Sequence, residues 1–280
     1  MLSALLIIFR EVIEAGLIVG IVLAATAGVP RRSVFVALGV LGGVAGACLV
    51  ALFAGELASL FQGSGQELFN AAILLLAVAM LTWHNVWMAS HGREMARELK
   101  AAGHDVTSGK RTLAALAIVV GVAVLREGSE VVLFLYGIVA QGGTSNAALA
   151  LGGALGLAAG GAVSGLMYFG LLTIPAHRLF NVTSGLITLL AAGMAAQAVL
   201  FLQNGGYVNA LTNTLWDTSW LLPEDGIAGR LLHTLIGYSQ APNGAQLIAY
   251  LATIAMMLVL MRMVGKPGPR LPKPAAQPAE

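Results

Sequence analysis

Residues 5–24 read LLIIFREVIEAGLIVGIVLA and residues 121–140 read GVAVLREGSEVVLFLYGIVA. Laid over one another they pair Arg10 with Arg126, Glu11 with Glu127 and Glu14 with Glu130, together with Leu17 with Leu133 and Ala24 with Ala140. Each stretch is apolar enough to cross a bilayer except for its one Arg-Glu-x-x-Glu motif. A charge near the bilayer centre costs roughly 2.5–3.5 kcal/mol even on the lenient insertion scale, so six cost on the order of 15–20 kcal/mol before any pairing. Ionisable groups at that depth mark function by default, and a transported ion is the first candidate.

The surrounding chain fits a membrane setting. Of its 280 residues 58% are hydrophobic and only 10% charged, and the mean hydropathy of +0.85 lies far outside the soluble range. A formal net charge of +2 gives no reason to expect a nucleic-acid partner. Cys48 is the single cysteine, so no internal disulfide is possible. The N-terminus has no basic leader, and Arg10, Glu11 and Glu14 interrupt the run a signal peptide would need. It therefore reads as a retained first helix, despite Ala25-Thr26-Ala27.

Apolar segments of spanning length occur at about 2–27, 34–61, 67–90, 112–140, 146–173, 179–203 and 245–264, which predicts an all-α membrane protein with seven transmembrane helices. Arg31 and Arg32 follow the first span; Arg93, Arg97, Lys100, Lys110 and Arg111 follow the third; Arg178 follows the fifth; Arg262, Lys266, Arg270 and Lys273 close or follow the seventh. Positive residues thus mark every second link, which places the N-terminus outside and the C-terminus in the cytoplasm. The organisation expected is a first three-helix repeat over 1–90, a cytoplasmic link over 91–111, a second three-helix repeat over 112–203, an extracytoplasmic segment over 204–244, a seventh helix over 245–264 and a disordered cytoplasmic tail over 265–280.

The repeat extends beyond the two motifs. Ala37-Leu38-Gly39 reappears as Ala150-Leu151-Gly152, and Leu68-Phe69-Asn70 as Leu179-Phe180-Asn181. Because each unit holds an odd number of spans, the second enters from the opposite face. The expectation is an inverted three-plus-three repeat plus one C-terminal helix, with the substrate site near the midplane between the repeats. Gly16-x-x-x-Gly20, Gly39-x-x-x-Gly43, Gly42-x-x-x-Gly46 and the series Gly152, Gly156, Gly160 read as surfaces for close helix packing.

On a helix, Arg10, Glu11 and Glu14 fall within an arc of about 100°, and so do Arg126, Glu127 and Glu130. Facing polar stripes would supply four carboxylates and two guanidiniums, formally −2, which is a cation site. Carboxylate oxygens suit hard cations. Arg at i pairs with Glu at i+4 when the site is empty, so Arg10 and Arg126 balance the charge and keep binding reversible. The bland alternative is a pair of salt bridges pinning two helices together.

Two such motifs, in the first and fourth of seven spans, resemble the oxidase-dependent iron permeases, which comprise the fungal high-affinity iron permease and the bacterial Efe-type iron uptake permease. The likeness extends to Leu215-Trp216-Asp217-Thr218-Ser219-Trp220 and to Leu232-His233-x-Leu-x-Gly237-Tyr238 before the last span, while Val12-Ile13 departs from the common Gly-Leu. The resemblance implies iron uptake across the cytoplasmic (inner) membrane. Iron would be oxidised outside by a partner oxidase, or brought by an iron-delivery protein, and passed inward as the ferric ion through Glu11, Glu14, Glu127 and Glu130. Iron is then cargo, with no permanently bound cofactor, and the protein is not an enzyme. Competing readings are a permease for another cation such as lead or manganese, separable by metal competition, and a membrane redox subunit holding iron. The latter wants paired histidines or a Glu-x-x-His motif, and neither stands in the spans.

Lesser candidates lie at the outer face. Glu56 and Glu67 flank the link between the second and third spans, and Asp217, Glu224 and Asp225 lie in the long segment before the last span; these acids form a possible outer collecting face for cations. Residues 226 to 237 read as a helix along the membrane surface. His84, beside Trp83 and Trp87 toward the inner end of the third span, reads as a hydrogen-bonded interfacial histidine and not as a metal ligand. Met256, Met257, Met261 and Met263 wrap around several faces and read as adaptable packing.

Overall fold

The computed structural model describes residues 1–59, 65–141, 144–170, 176–224 and 226–264. Eight α-helices fill them: α1 (Leu2–Ala25), α2 (Arg32–Ser59), α3 (Gln66–Thr107), α4 (Leu113–Gln141), α5 (Asn146–Tyr168), α6 (Ala176–Asn204), α7 (Ile227–Ile236) and α8 (Gly244–Val264). Among the described residues the β pairing is confined to one isolated antiparallel bridge, Thr214 to Asn243. Segments of α2, α3, α5, α6 and α8 are long and apolar enough to cross a membrane. The two long helices outside that set, α1 and α4, are the ones carrying the charged motifs. At 24 and 29 residues and 1.5 Å per residue they measure about 36 and 43 Å, ample for a ~30 Å hydrocarbon core. The expected tail over 265–280 lies outside the described residues.

The exposure pattern is that of a protein solvated by lipid. Leu38, Leu41, Leu49, Leu52 and Phe53 on α2 and Leu151, Leu155 and Leu157 on α5 are exposed, while small and polar residues turn inward. The most extensive helix pairings are α2 with α4 and α5 with α1, and each is made possible by missing side chains. A Cβ on Gly43 would lie 2.7 Å from the Gly121 carbonyl oxygen and 2.9 Å from the Leu125 nitrogen; one on Gly156 would lie 2.6 Å from the Leu5 carbonyl oxygen and 3.1 Å from the Phe9 nitrogen. Only glycine lets these backbones touch. The contacts also correspond in sequence, since Leu5 and Phe9 align with Gly121 and Leu125 in the motif superposition.

Two apolar cores stack along the helices. One gathers Ala4 and Ile7 of α1, Leu74 and Leu81 of α3, Phe134 and Ile138 of α4, Met194 of α6 and Met257 of α8. The other gathers Ile18 and Val22 of α1, Val36 of α2, Leu99 of α3, and Leu116, Val120 and Val124 of α4. Along α1 the charged residues 10, 11 and 14 fall between 7 and 18; along α4, residues 127 and 130 fall between 124 and 134. The motifs therefore form a polar layer sealed above and below by hydrocarbon.

Two placements differ from the sequence expectation. α3 does not stop near residue 90 but runs to Thr107, a 42-residue helix. The helix expected over 226–237 forms, as Ile227–Ile236, but it reaches down the flank of α6 instead of lying flat across the helix ends. Its C-cap Gly237, at φ 67°, abuts Gly193, whose added Cβ would come within 2.6 Å of the Gly237 Cα. Gly193 lies eleven residues before Asn204, about 16 Å down α6. The Tyr250 hydroxyl on α8 donates to the Ile236 carbonyl at 2.5 Å and holds that end in place.

Candidate metal centre

The i, i+1, i+4 spacing sets Arg10, Glu11 and Glu14 on the inward face of α1, each at most 2% exposed. Arg10 Nε donates to Glu14 Oε1 at 2.9 Å, the pairing one turn apart that the spacing predicts. The second motif pairs differently. Arg126 donates to Glu127 Oε1 through Nη2 at 2.8 Å and Nε at 3.1 Å, while its Nε stands 3.8 Å from Glu130 Oε1. Trp87 of α3 lies against this arginine, its ring 4.7 Å from the Arg126 guanidinium carbon. A cation over an indole face is held there, and Arg126 stays 40% exposed where Arg10 is 1% exposed.

Between the two motifs stands His84, 4% exposed. Its Nε2 lies 3.2 Å from Glu14 Oε2 and its Nδ1 is in direct contact with Glu130 Oε2, so one imidazole joins the last glutamate of each motif. The interfacial placement expected for His84 is thus corrected. With α3 continuing to Thr107, residue 84 falls near the middle of the helix, at the level of the polar layer. The neighbouring Asn85, 1% exposed, fixes α3 against α6: its Nδ2 donates to the Ser184 carbonyl at 3.2 Å, and the Ser184 hydroxyl donates to its Oδ1 at 2.8 Å.

Ligand-capable atoms of Glu11, His84, Glu127 and Glu130 all lie within 4.8 Å of one another. Both Glu11 carboxylate oxygens, Glu127 Oε2 and Arg10 Nη1 are buried and make no hydrogen bond. Buried acceptors without donors are among the costliest arrangements a fold tolerates, and several converging carboxylate oxygens are what a cation would satisfy. Glu14 belongs to the same layer, but its two oxygens are engaged by Arg10 and His84.

Among the described residues, the outer acids Glu67, Asp217 and Glu224 do not join this group. Glu67 occupies the first turn of α3. Glu224 braces its own segment: Glu224 Oε1 accepts from the Gln240 nitrogen at 2.7 Å and the Glu224 nitrogen donates to Gln240 Oε1 at 2.9 Å. Asp217 is exposed, accepts from the Ser219 nitrogen at 2.8 Å, and is held below the usual carboxylate range by the Ser219 side chain and backbone. The Glu56 side chain and Asp225 lie outside the described residues.

The model of the iron permease FTR1 family matches residues 1–265. A ferrous iron permease EfeU from Escherichia coli O6:H1 (strain CFT073) is 31% identical over 257 residues, 91% of this chain and 92% of the relative. The EfeU of Shigella sonnei (strain Ss046) is 30% identical over 267 residues, 94% and 96% of the two chains. That of Yersinia pestis is 30% identical over 259 residues, 91% of each. No solved structure matches the chain.

Proposed function

The chain belongs to the iron permease FTR1 family, a multi-pass membrane family, and from that premise we propose that iron crosses the cytoplasmic membrane through the polar layer between α1 and α4, held by Glu11, Glu14, Glu127 and Glu130. The observation that carries this reading is the convergence of both motifs, 116 positions apart in sequence, on one buried cluster with unsatisfied carboxylate oxygens. Arg10 and Arg126 are the resident counter-charges. Without them four carboxylates would take up protons or hold an ion too tightly to release it. The activity is translocation; no bond of the cargo is made or broken.

We also read α1–α3 and α4–α6 as inverted repeats with α8 as a seventh span, N-terminus outside and C-terminus inside. The matched pairings of α5 on α1 and α2 on α4, through Gly156 and Gly43, support it. A pseudo-twofold relation of this kind gives the rocking motion by which one site faces each side in turn.

The resemblance implies ferric iron supplied by an outer oxidase or delivery protein. A second reading, ferrous iron, is favoured by the relatives' names and by charge: the cluster is formally −2, so a divalent ion brings it to zero and a trivalent ion leaves +1. Uptake of each redox form into liposomes holding the purified chain, with and without a pH gradient, separates the two. Alanine at any of the four glutamates is expected to abolish uptake while the protein still reaches the membrane; several such variants with full uptake would overturn the assignment.

A further inference from the structure

The cluster's four carboxylates do not by themselves distinguish iron from Mg2+ or Ca2+, which have the same charge as ferrous iron and the same taste for oxygen. The ring of His84 is the nitrogen donor in this group. We propose that His84 is a direct ligand of the transported ion together with Glu11, Glu127 and Glu130, that Glu14 is the positioning residue that orients its ring, and that this mixed donor set selects iron-class transition ions over Mg2+ and Ca2+. The proposal rests on the permease reading and divides the work within its site.

Three observations separate the roles. First, Glu14 is outside the group whose ligand atoms lie within 4.8 Å of one another, whereas His84 is inside it. Metal–nitrogen and metal–oxygen bonds near 2.1 Å set ligand atoms about 3–4 Å apart, so that spread closes with side-chain rotation alone. Second, the open valences belong to the ligand side: both Glu11 oxygens and Glu127 Oε2 have no hydrogen-bond partner, while Glu14 is occupied by Arg10 at 2.9 Å and His84 at 3.2 Å. Third, the two ring nitrogens are inequivalent. Nε2 faces Glu14, outside the group, and Nδ1 faces Glu130, inside it. An imidazole that offers one nitrogen to an ion and gives its other N–H to a carboxylate is the usual arrangement of a metal-bound histidine, the carboxylate fixing tautomer and ring plane. Glu14 is placed to be that carboxylate, itself steadied by Arg10.

Imidazole favours iron and later transition ions, while Mg2+ keeps its waters and seeks all-oxygen octahedra. Selectivity therefore resides on α3, outside both sequence motifs. Asn85 fixes the height of that ring through Ser184.

The test uses the full chain in nanodiscs. Anaerobic Fe2+ binding is titrated in competition with Mg2+ and Ca2+, and pulsed EPR of the protein loaded with one Mn2+ per chain reads nitrogen-14 coupling. The wild type is expected to show an imidazole nitrogen on Mn2+. His84→Gln should lose that coupling and bind Fe2+ weaker by at least the roughly 10- to 100-fold that removal of a mere orienting partner produces, with Mg2+ and Ca2+ competing better. Glu14→Gln, which keeps an acceptor for the ring, should retain the coupling; Glu127→Gln should weaken binding more than Glu14→Gln. Absence of nitrogen coupling in the wild type, a measurement that needs no variant to fold, or its persistence in His84→Gln would overturn the proposal. A wild type that takes up and binds iron without a nitrogen ligand defeats this inference alone; one that neither binds nor transports iron defeats the permease reading beneath it.

Discussion

Replacing either motif arginine by methionine removes one positive charge and little volume, yet the two replacements should differ sharply. Arg10 and Glu14 are 1% and 2% exposed and share a 2.9 Å charged hydrogen bond. Removing Arg10 leaves the Glu14 carboxylate in low dielectric with only its His84 contact, a loss of up to about 3–5 kcal/mol. Arg126 is 40% exposed. Its partner Glu127 is 3% exposed, so Arg126→Met also leaves a buried carboxylate behind, while the stacking on Trp87 adds roughly 0.5–1 kcal/mol. Arg10→Met, which empties one side of a pair buried on both sides, should therefore destabilise the protein more than Arg126→Met, which removes a partly exposed guanidinium. Unfolding of each purified variant in mixed micelles titrated with SDS measures the difference. Adding Glu14→Gln to Arg10→Met should recover a large part of the loss, because the orphaned charge is gone. Equal losses at the two arginines, or no recovery in the double variant, would refute the claim that burial makes one arginine structural and leaves the other peripheral.

Two further expectations follow from packing. Gly156→Val sets a branched side chain against the Leu5 carbonyl oxygen, where even a Cβ would stand at 2.6 Å, and should force α5 off α1 and lower the yield of folded protein; Gly42→Ala, with nothing within 4 Å, should be silent in the same assay. Asn85→Ala leaves the Ser184 hydroxyl without its acceptor and removes one of the donors to the Ser184 carbonyl, which should cost about 1–3 kcal/mol in the SDS titration and reduce iron uptake through the loosened α3.

Much of the site was legible because its signals are local. Charges in an apolar run, their i, i+1, i+4 spacing and the repeat of the spelling together point to one layer for Glu11, Glu14, Glu127 and Glu130, and the small-residue faces of α2 and α5 mark the close contacts except at Gly42, which faces open space. The missed features depend on tertiary distances. His84 looked interfacial because hydropathy falls away near residue 90, yet the helix continues as a polar extension to Thr107; a span's end judged by composition misplaces every depth measured from it. The useful sequence signal was the polar pair His84-Asn85 inside an apolar stretch, which nothing but a buried partner would tolerate. Arg126 forms the expected ion pair with Glu130 at 3.8 Å, but its hydrogen bonds go to the adjacent Glu127, and Trp87 on another helix lies against its guanidinium. α7 was read correctly as a helix, but a helical pattern alone does not show that its C-terminal end packs against Gly193 on the flank of α6.

The central claim, one ion site shared by both motifs, is tested most directly by counting iron bound to the purified chain. The account predicts one Fe2+ per chain, lost alike when Glu11→Gln alters the first motif alone and when Glu127→Gln alters the second alone. Two ions per chain, or a full ion retained by one motif after the other has been neutralised, would contradict it.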